Sequence, residues 1–228
     1  MPLPDSDTLQ QAANDFRFLL NRGYPREASL TLVGNHYDLE ADIRQILHRG
    51  VFAGSVAEAR KAKLWELADL AGQPLAVDGH NVLITLESAL QGRPLVAADD
   101  GFIRDVAQLS RAFRNSPVTR QALALLAAFI SRRHPGPLTI LYDAPMKRSG
   151  ELAQQTRETL AAQGLYAEAR AVPVPEREFL EFSGAVATSD THLIDLKEVV
   201  VDLAGEIIRE ELGGEPLNLG GGDQEDKT

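Results

Sequence analysis

The stretch that decides the fold reads PLAVDGHNVLIT, residues 74–85. Its first half is a short apolar run that ends on Asp78, and such a run is typical of a buried strand. Asn81 follows three residues later, and the chain then takes up the apolar spacing of a helix. We therefore predict a strand that leads directly into a helix, with a carboxylate and an amide at the junction.

Short apolar runs alternate with helical patterns from this stretch to the end of the chain. The predicted strands are PLVAAD, LTILYD, AEARAVPV, GAVATSD and VVVDL. Helices are predicted between them, including one over DGFIRDVAQLSRAF and one that Ser149 caps. This alternation predicts a three-layer α/β domain with a mostly parallel sheet.

The residues before this stretch show a different pattern. Four helical patterns, separated by Gly and Pro, precede residue 74. We expect a small all-α domain over residues 1–72, followed by the α/β domain over residues 73–212. The Gly-rich, charged residues 213–228 are expected to be a disordered tail.

Composition narrows the classes of function. The 228 residues include no cysteine, which excludes disulfides, thiolate metal sites and cysteine nucleophiles. No apolar run has the length of a membrane span, and the N-terminus lacks the apolar core of a secretion signal. We expect a cytoplasmic protein with no membrane partner. The net charge of −10 disfavours general nucleic-acid binding and suits carboxylates gathered around a divalent cation.

Three predicted strands end on an aspartate, namely Asp78, Asp143 and Asp190. Parallel strands end at one edge of a sheet, so we expect these side chains to converge there. Carboxylates held close together repel unless a cation neutralises them, and oxygen ligands favour Mg²⁺ or Mn²⁺. Asp99 or Asp100 could add a fourth carboxylate. Such a site suits phosphodiester hydrolysis, in which the metal activates water and stabilises developing charge.

A purely structural interpretation stands beside this one. Aspartate after a strand is common as a turn former or a helix N-cap. For each aspartate alone, capping is the better interpretation, and it is the joint pattern of three that favours a cation site.

The motifs around the three aspartates resemble those of a known nuclease family. VDGHNVL resembles the first strand of the NYN branch of PIN-like nucleases, YDAP the acidic end of its middle strand, and VATSD its late Thr-Ser-Asp motif. The resemblance covers about residues 74–205. The whole chain also resembles a prokaryotic family in which a small helical domain of unknown function precedes a PIN-like domain.

The resemblance implies roles for individual residues. Asn81 would position a water, a phosphate or the strand-end loop, and Thr188 and Ser189 would bind phosphate or order the turn at Asp190. His80 stands where the family usually has an aromatic residue. The implied metal ligands are Asp78, Asp100, Asp143 and Asp190.

The resemblance also implies a second acidic ligand besides Asp78, and the position of this residue in the chain is the least defined. Asp100 is preferred because it follows a predicted strand, and Glu87 and Asp105 are the alternatives. Without a second acid in place, the site could bind one metal weakly or be inactive.

Lys147 and Arg148 precede a predicted helix and form a candidate phosphate site. A solvated basic turn explains them equally well.

These observations lead to a predicted Mg²⁺- or Mn²⁺-dependent nuclease, with RNA as the partner implied by the resemblance. A non-catalytic module that binds RNA, a nucleotide or a protein is the alternative. A phosphatase with Asp78 as nucleophile is weaker, because no second Asp stands two residues later. A homo-oligomer is left open.

Overall fold

A computed structural model describes residues 5–70, 72–106, 116–133 and 136–220. The α-helices are, in chain order, α1 Ser6–Asn21, α2 Arg26–His36, α3 Ala41–Gly50, α4 Gly54–Lys61, α5 Gly79–Leu90, α6 Pro117–Arg133, α7 Ser149–Ala162, α8 Pro175–Glu181, α9 Thr191–Leu196 and α10 Leu203–Ile207. The strands are β1 Leu75–Asp78, β2 Leu95–Ala97, β3 Ile103–Asp105, β4 Leu138–Asp143, β5 Glu168–Val172, β6 Ala185–Ala187, β7 Val200–Val201 and β8 Leu217–Asn218. A 3₁₀-helix covers Leu67–Leu70, and a π-helix covers Ile208–Leu212.

The chain divides into two units that are interleaved along the sequence. Among the described residues, the first unit contains 5–62, 93–106 and 215–220. The second unit contains the remaining described residues, from Lys63 to Gly214. The division therefore differs from the predicted boundaries, because two later segments belong with the N-terminal helices.

In the first unit, helices α1 to α4 are accompanied by a three-stranded sheet in the order β3-β2-β8. Strand β2 pairs antiparallel with β3 and parallel with β8. Helix α3 packs closely on this sheet, since a Cβ on Gly50 would come within 2.6 Å of Val96 and 2.7 Å of Leu219. This close approach explains why the last turn of α3 carries a glycine.

Two predictions about these later segments are corrected. DGFIRDV was predicted to be helical, but Ile103–Asp105 forms β3 because it completes the sheet beside β2. Residues 213–228 were predicted to be disordered, but Leu217–Asn218 forms β8 and Leu219 is buried. Residues 107–115 and 221–228 lie outside the described residues.

In the second unit, five parallel strands form a sheet in the order β5-β4-β1-β6-β7. The predicted α/β class with a mostly parallel sheet is thus confirmed. Strand β1 is central, with a parallel strand on each side. Its three apolar residues are buried, as is typical of a parallel strand whose two faces are covered by helices.

The strand order places a topological switch beside β1. From β1 the chain builds β4 and β5 on one side, then crosses to build β6 and β7 on the other. In open α/β sheets, ligands bind outside the carboxyl ends of the strands at such a switch. The carboxyl ends of β1 and β6 are therefore the place to look for a site.

Across the described ranges, no helix combines the length and the apolar character that crossing a membrane requires.

Candidate functional site

Asp78 is the last residue of β1 and the N-cap of α5. Its Oδ1 accepts a hydrogen bond from the backbone N–H of Asn81 at 3.3 Å. Its Oδ2 accepts one from the hydroxyl of Thr188 at 3.1 Å, and Thr188 directly follows β6. Both donors are neutral, so these bonds orient the carboxylate without cancelling its charge.

The environment of Asp78 favours the protonated form of its carboxyl. Burial, which disfavours the charged form, is the main reason that its pKa rises from 3.8 to about 7. The two hydrogen bonds act in the opposite direction, and the charges of Asp143 and Asp190 add to the rise. The structure therefore brings the three strand-end aspartates near enough to influence one another.

Gly79 is required by the close packing below this carboxylate. A Cβ on Gly79 would lie 2.3 Å from a ring carbon of Tyr142, the penultimate residue of β4. Tyr142 is fully buried, and its hydroxyl pairs with Thr156 at 2.7 Å. Burial is the main cause of a raised pKa for Tyr142, and the nearby charge of Asp78 adds to it. Sequence reasoning missed Tyr142, although it directly precedes Asp143.

Asn81 ties the start of α5 to the loop after β6. Its side-chain oxygen accepts hydrogen bonds from both the backbone N–H of Ser189, at 2.8 Å, and the hydroxyl of Ser189, at 3.0 Å. These bonds fix the amide plane across the switch point between β1 and β6. Asn81 thus lies beside Asp78, where the resemblance places it, and it orders the loop that holds Thr188 and Ser189.

Asp190 caps helix α9 and is exposed. Its Oδ1 accepts from the backbone N–H groups of His192 and Leu193 at 2.9 and 3.1 Å. Its own N–H donates to the hydroxyl oxygen of Thr188, the same group that contacts Asp78. Asp190 therefore has the capping role that the structural interpretation proposed, and it also lies at the shared edge.

Asp143 is held at the end of β4 by His80. The backbone N–H of Asp143 donates to Nδ1 of His80 at 3.1 Å, and the carboxylate lies 3.5 Å from the same nitrogen. Burial lowers the pKa of His80, and Asp143 partly opposes this. A ring nitrogen that accepts a hydrogen bond carries no proton, so His80 positions Asp143 as a neutral ring. The Asp143 side chain is 45% exposed and is open to a ligand.

These acids share an edge without forming a closed metal cage. In the parts of the chain that the structure describes, no three His, Cys, Asp or Glu side chains are grouped so that they could hold a metal ion. Mg²⁺ often has only one or two protein carboxylates, because waters and substrate phosphates supply its other ligands. The arrangement fits an ion held in that open manner.

Asp100, predicted as a metal ligand, lies in the first unit, where two guanidinium groups bind it. Arg104 contacts both carboxylate oxygens, at 2.7 and 2.9 Å, and Arg60 contacts one of them at 3.1 Å. Asp100 is completely buried. Because its charge is already neutralised, we leave Asp100 out of the site.

The other candidates for the second acid also have structural partners. Asp99 accepts two hydrogen bonds from Arg17, and Asp105 accepts one from Arg49 at 3.2 Å. Glu87 lies within α5 and accepts a hydrogen bond from the hydroxyl of Thr119 on α6. This bond joins the two helices. Asp99 and Asp105 belong to the first unit, whereas β1 belongs to the second.

The two basic residues after β4, Lys147 and Arg148, have different surroundings. Arg148 forms an exposed ion pair with Glu151, and its left-handed backbone (φ 66°) places it at the N-cap of α7. Ser149 is therefore not the cap; its hydroxyl donates to the carbonyls of Asp143 and Met146. Lys147 is exposed. Both cations follow Asp143 closely in the chain.

Comparison with known proteins places the chain in a family. Residues 67–206 match the family described as "Domain of unknown function (DUF5616)". The chain belongs to this family. Residues 8–63 match a second one, described as "Protein of unknown function (DUF434)". The two matches agree with the predicted order of a small helical domain followed by an α/β domain.

A curated relative covers nearly the whole chain. Uncharacterized protein MJ0935 of Methanocaldococcus jannaschii is 33% identical over 204 residues, which is 88% of this chain and 97% of that protein. No solved structure matches the chain. None of these names specifies an activity, so the nuclease function stays a prediction.

Proposed function

We propose that the second unit is a Mg²⁺- or Mn²⁺-dependent phosphodiesterase that acts on RNA. The observation that carries this proposal is the position of Asp78. It lies at the switch point of the parallel sheet, contacts only neutral donors in its two hydrogen bonds, and is close enough to Asp143 and Asp190 to feel their charge. A partly buried carboxylate in this situation is stabilised by a cation.

The residues of the site suit a hard divalent ion. Asp78 and Asp143 would hold it directly, and Asp190 directly or through water, because carboxylate oxygen is the ligand that Mg²⁺ and Mn²⁺ prefer. When bound, such an ion supplies an activated water and stabilises charge on a phosphodiester. RNA rather than DNA rests on the resemblance to NYN-type nucleases alone.

The surrounding residues act by orientation. Thr188 holds one oxygen of Asp78 and the N–H of Asp190, so it sets the spacing between the two carboxylates. Asn81 fixes the Ser189 turn, and His80 fixes Asp143. Lys147 and Arg148 would attract the phosphate backbone of the substrate.

Cleavage of labelled single-stranded RNA and DNA in Mn²⁺ or Mg²⁺ tests the proposal, together with Mn²⁺ binding by calorimetry. Asp78→Asn and Asp143→Asn are expected to lose both cleavage and ion binding, because they keep the shape and remove the charge. Asp69→Asn is the matched control, since Asp69 is an exposed aspartate of the same unit. Wild-type protein that neither binds Mn²⁺ nor cleaves either strand would refute the proposal.

One observation favours a second candidate, a non-catalytic binding module. Asp190 caps α9, and in the described residues no three acidic or histidine side chains are grouped around one point. Retained nucleic-acid binding without cleavage, and without any effect of Asp78→Asn, would favour this candidate.

A further inference from the structure

The turn between α1 and α2 is locally basic. Residues 16–26 contain three arginines and no acidic residue, in a protein of net charge −10. Arg17 is held by Asp99, which leaves Arg22 as the exposed cation and Arg26 as a partly buried one. An anionic partner is therefore favoured at this turn over the surrounding acidic surface.

Two large aromatic side chains are exposed at the same turn. Phe18 is 53% exposed and Tyr24 is 56% exposed. Phe16 is completely buried, and the next position but one on a helix points to the opposite side, so Phe18 is directed away from the core. Tyr24 donates its N–H to the carbonyl of Leu19, which holds it against the last turn of α1.

Arg22 contacts Phe18 and extends this aromatic surface. Its guanidinium carbon is 3.6 Å from the centre of the Phe18 ring, one helical turn earlier. A stacked guanidinium is planar and charged, and it can stack on a base or bind a phosphate oxygen. The turn therefore presents aromatic and cationic groups alternately along nine residues.

Arg26 lies behind this surface and keeps it electropositive. Its guanidinium group packs over Phe52, 4.7 Å from the ring centre, and donates to the carbonyl of His48. Arg60 packs over the same ring at 4.6 Å. Because Arg60 is ion-paired with Asp100, Arg26 is the member of this pair that adds positive charge beside the turn.

We propose that Phe18, Arg22 and Tyr24, here called the α1–α2 surface, bind single-stranded nucleic acid. Unpaired bases stack on aromatic rings without regard to sequence, while arginines track the phosphates. A duplex offers its phosphates but not its base faces, so the surface distinguishes single strands from duplexes. The inference rests on the proposed function, which it deepens by making single strands the substrate class.

Fluorescence anisotropy with a labelled twelve-nucleotide uridine strand tests this inference in EDTA, where no metal-dependent cleavage occurs. Phe18→Ala and Tyr24→Ala are each expected to weaken binding by roughly 10-fold, because each removes one base-stacking partner. Phe18→Trp should bind within a few-fold of wild type, since it keeps the ring. Arg22→Ala should reduce the slope of log K against log salt by roughly 0.7.

The control is Leu32→Ala, because Leu32 is an equally exposed apolar residue on α2 of the same unit. It should leave binding unchanged. The inference is overturned if wild-type protein fails to bind the strand, if a duplex binds as tightly, or if Phe18→Ala and Tyr24→Ala bind like wild type. Thermal melts of all variants should coincide, since the replaced side chains are exposed.

The metal-site variant separates this inference from the proposed function. Asp78→Asn should bind the strand as wild type does, because Asp78 belongs to the other unit. Wild-type protein that binds the strand but does not cleave it in Mn²⁺ or Mg²⁺ would support the α1–α2 surface and refute the nuclease. If Phe18→Ala and Tyr24→Ala change neither cleavage nor binding, the nuclease would be supported and the α1–α2 surface refuted.

Discussion

The two units of this protein surround an important aspartate with opposite environments, one charged and one neutral. In the first unit, Asp100 is bound by two arginines and has no exposed surface. In the second unit, Asp78 contacts a backbone N–H and a hydroxyl, and neighbouring carboxylates raise its pKa further. A paired carboxylate contributes to folding, whereas an unneutralised one at a ligand-binding edge costs stability and is a candidate for function.

The largest expected effect on the free energy of unfolding is at Asp100, the aspartate that is paired with arginines. Asp100→Asn should lower the free energy of unfolding by about 3–5 kcal/mol, because it leaves the buried guanidinium of Arg104 without its anion. Urea unfolding followed by circular dichroism measures this change. Mn²⁺ binding should be unaffected, and a loss of ion binding without loss of stability would return Asp100 to the metal site.

Asp78→Asn should change the free energy of unfolding by an amount that depends on pH, whereas Asp100→Asn should lower it. A carboxyl whose pKa is about 7 when folded and 3.8 when unfolded holds its proton longer in the folded state. Wild-type stability from this group is therefore highest below about pH 4 and falls as the pH rises to about 7. The stability of the variant relative to wild type should therefore be greater at pH 8 than at pH 5, by about 1–3 kcal/mol.

Urea midpoints of both proteins at pH 5 and pH 8 give this difference. Comparison of the two proteins at each pH removes the contribution of Glu206, whose pKa burial also raises to about 7. Equal destabilisation of the variant at both pH values would show that Asp78 is only a cap.

Thr188 joins two of the acids, so its hydroxyl should matter more than its methyl group. Thr188→Val removes the bonds to Asp78 and to the N–H of Asp190, and we expect a loss of about 1–2 kcal/mol. Thr188→Ser keeps both bonds and should lose less than half of that. Thermal unfolding measures both variants, and an equal loss would assign the effect to packing.

Ion binding itself should depend on pH. Since a cation competes with the proton on Asp78, apparent Mn²⁺ affinity should rise by roughly 10-fold between pH 6 and pH 8. Calorimetry in buffers of different ionisation enthalpy should also detect proton release at pH 6. Affinity that does not change with pH would place the ion away from Asp78.

The smallest effect is expected at the surface. Arg148→Ala removes an exposed ion pair with Glu151 and should leave the free energy of unfolding nearly unchanged, because solvent screens the pair. If Arg148 attracts the substrate, KM should rise while kcat is unchanged. Glu151→Gln breaks the same ion pair without removing the cation, so it is the control for the pair alone.

Some features of the site follow from local pattern. The apolar run before Asp78, the Gly79 that follows it and the helical spacing beyond predicted the β1–α5 junction, because burial and packing at this junction are encoded within a few residues. The end of β4 at Asp143 was predicted for the same reason, whereas β6 ends at Ala187, three residues before the predicted Asp190. Local pattern failed at Ile103–Asp105, where pairing with β2 outweighs the helical pattern, and at the start of the supposed tail.

The sequence by itself determined the α/β class, the order of helical and α/β regions, and the aspartates that end β1 and β4, since each depends on short-range periodicity. Only the tertiary structure decided which acids are neutralised. Arg60 lies 40 residues before Asp100, and Arg17 lies 82 residues before Asp99. No local pattern encodes such pairs, because two charges neutralise each other only when they lie close together in space. Their distance in space is set by the packing of the whole unit.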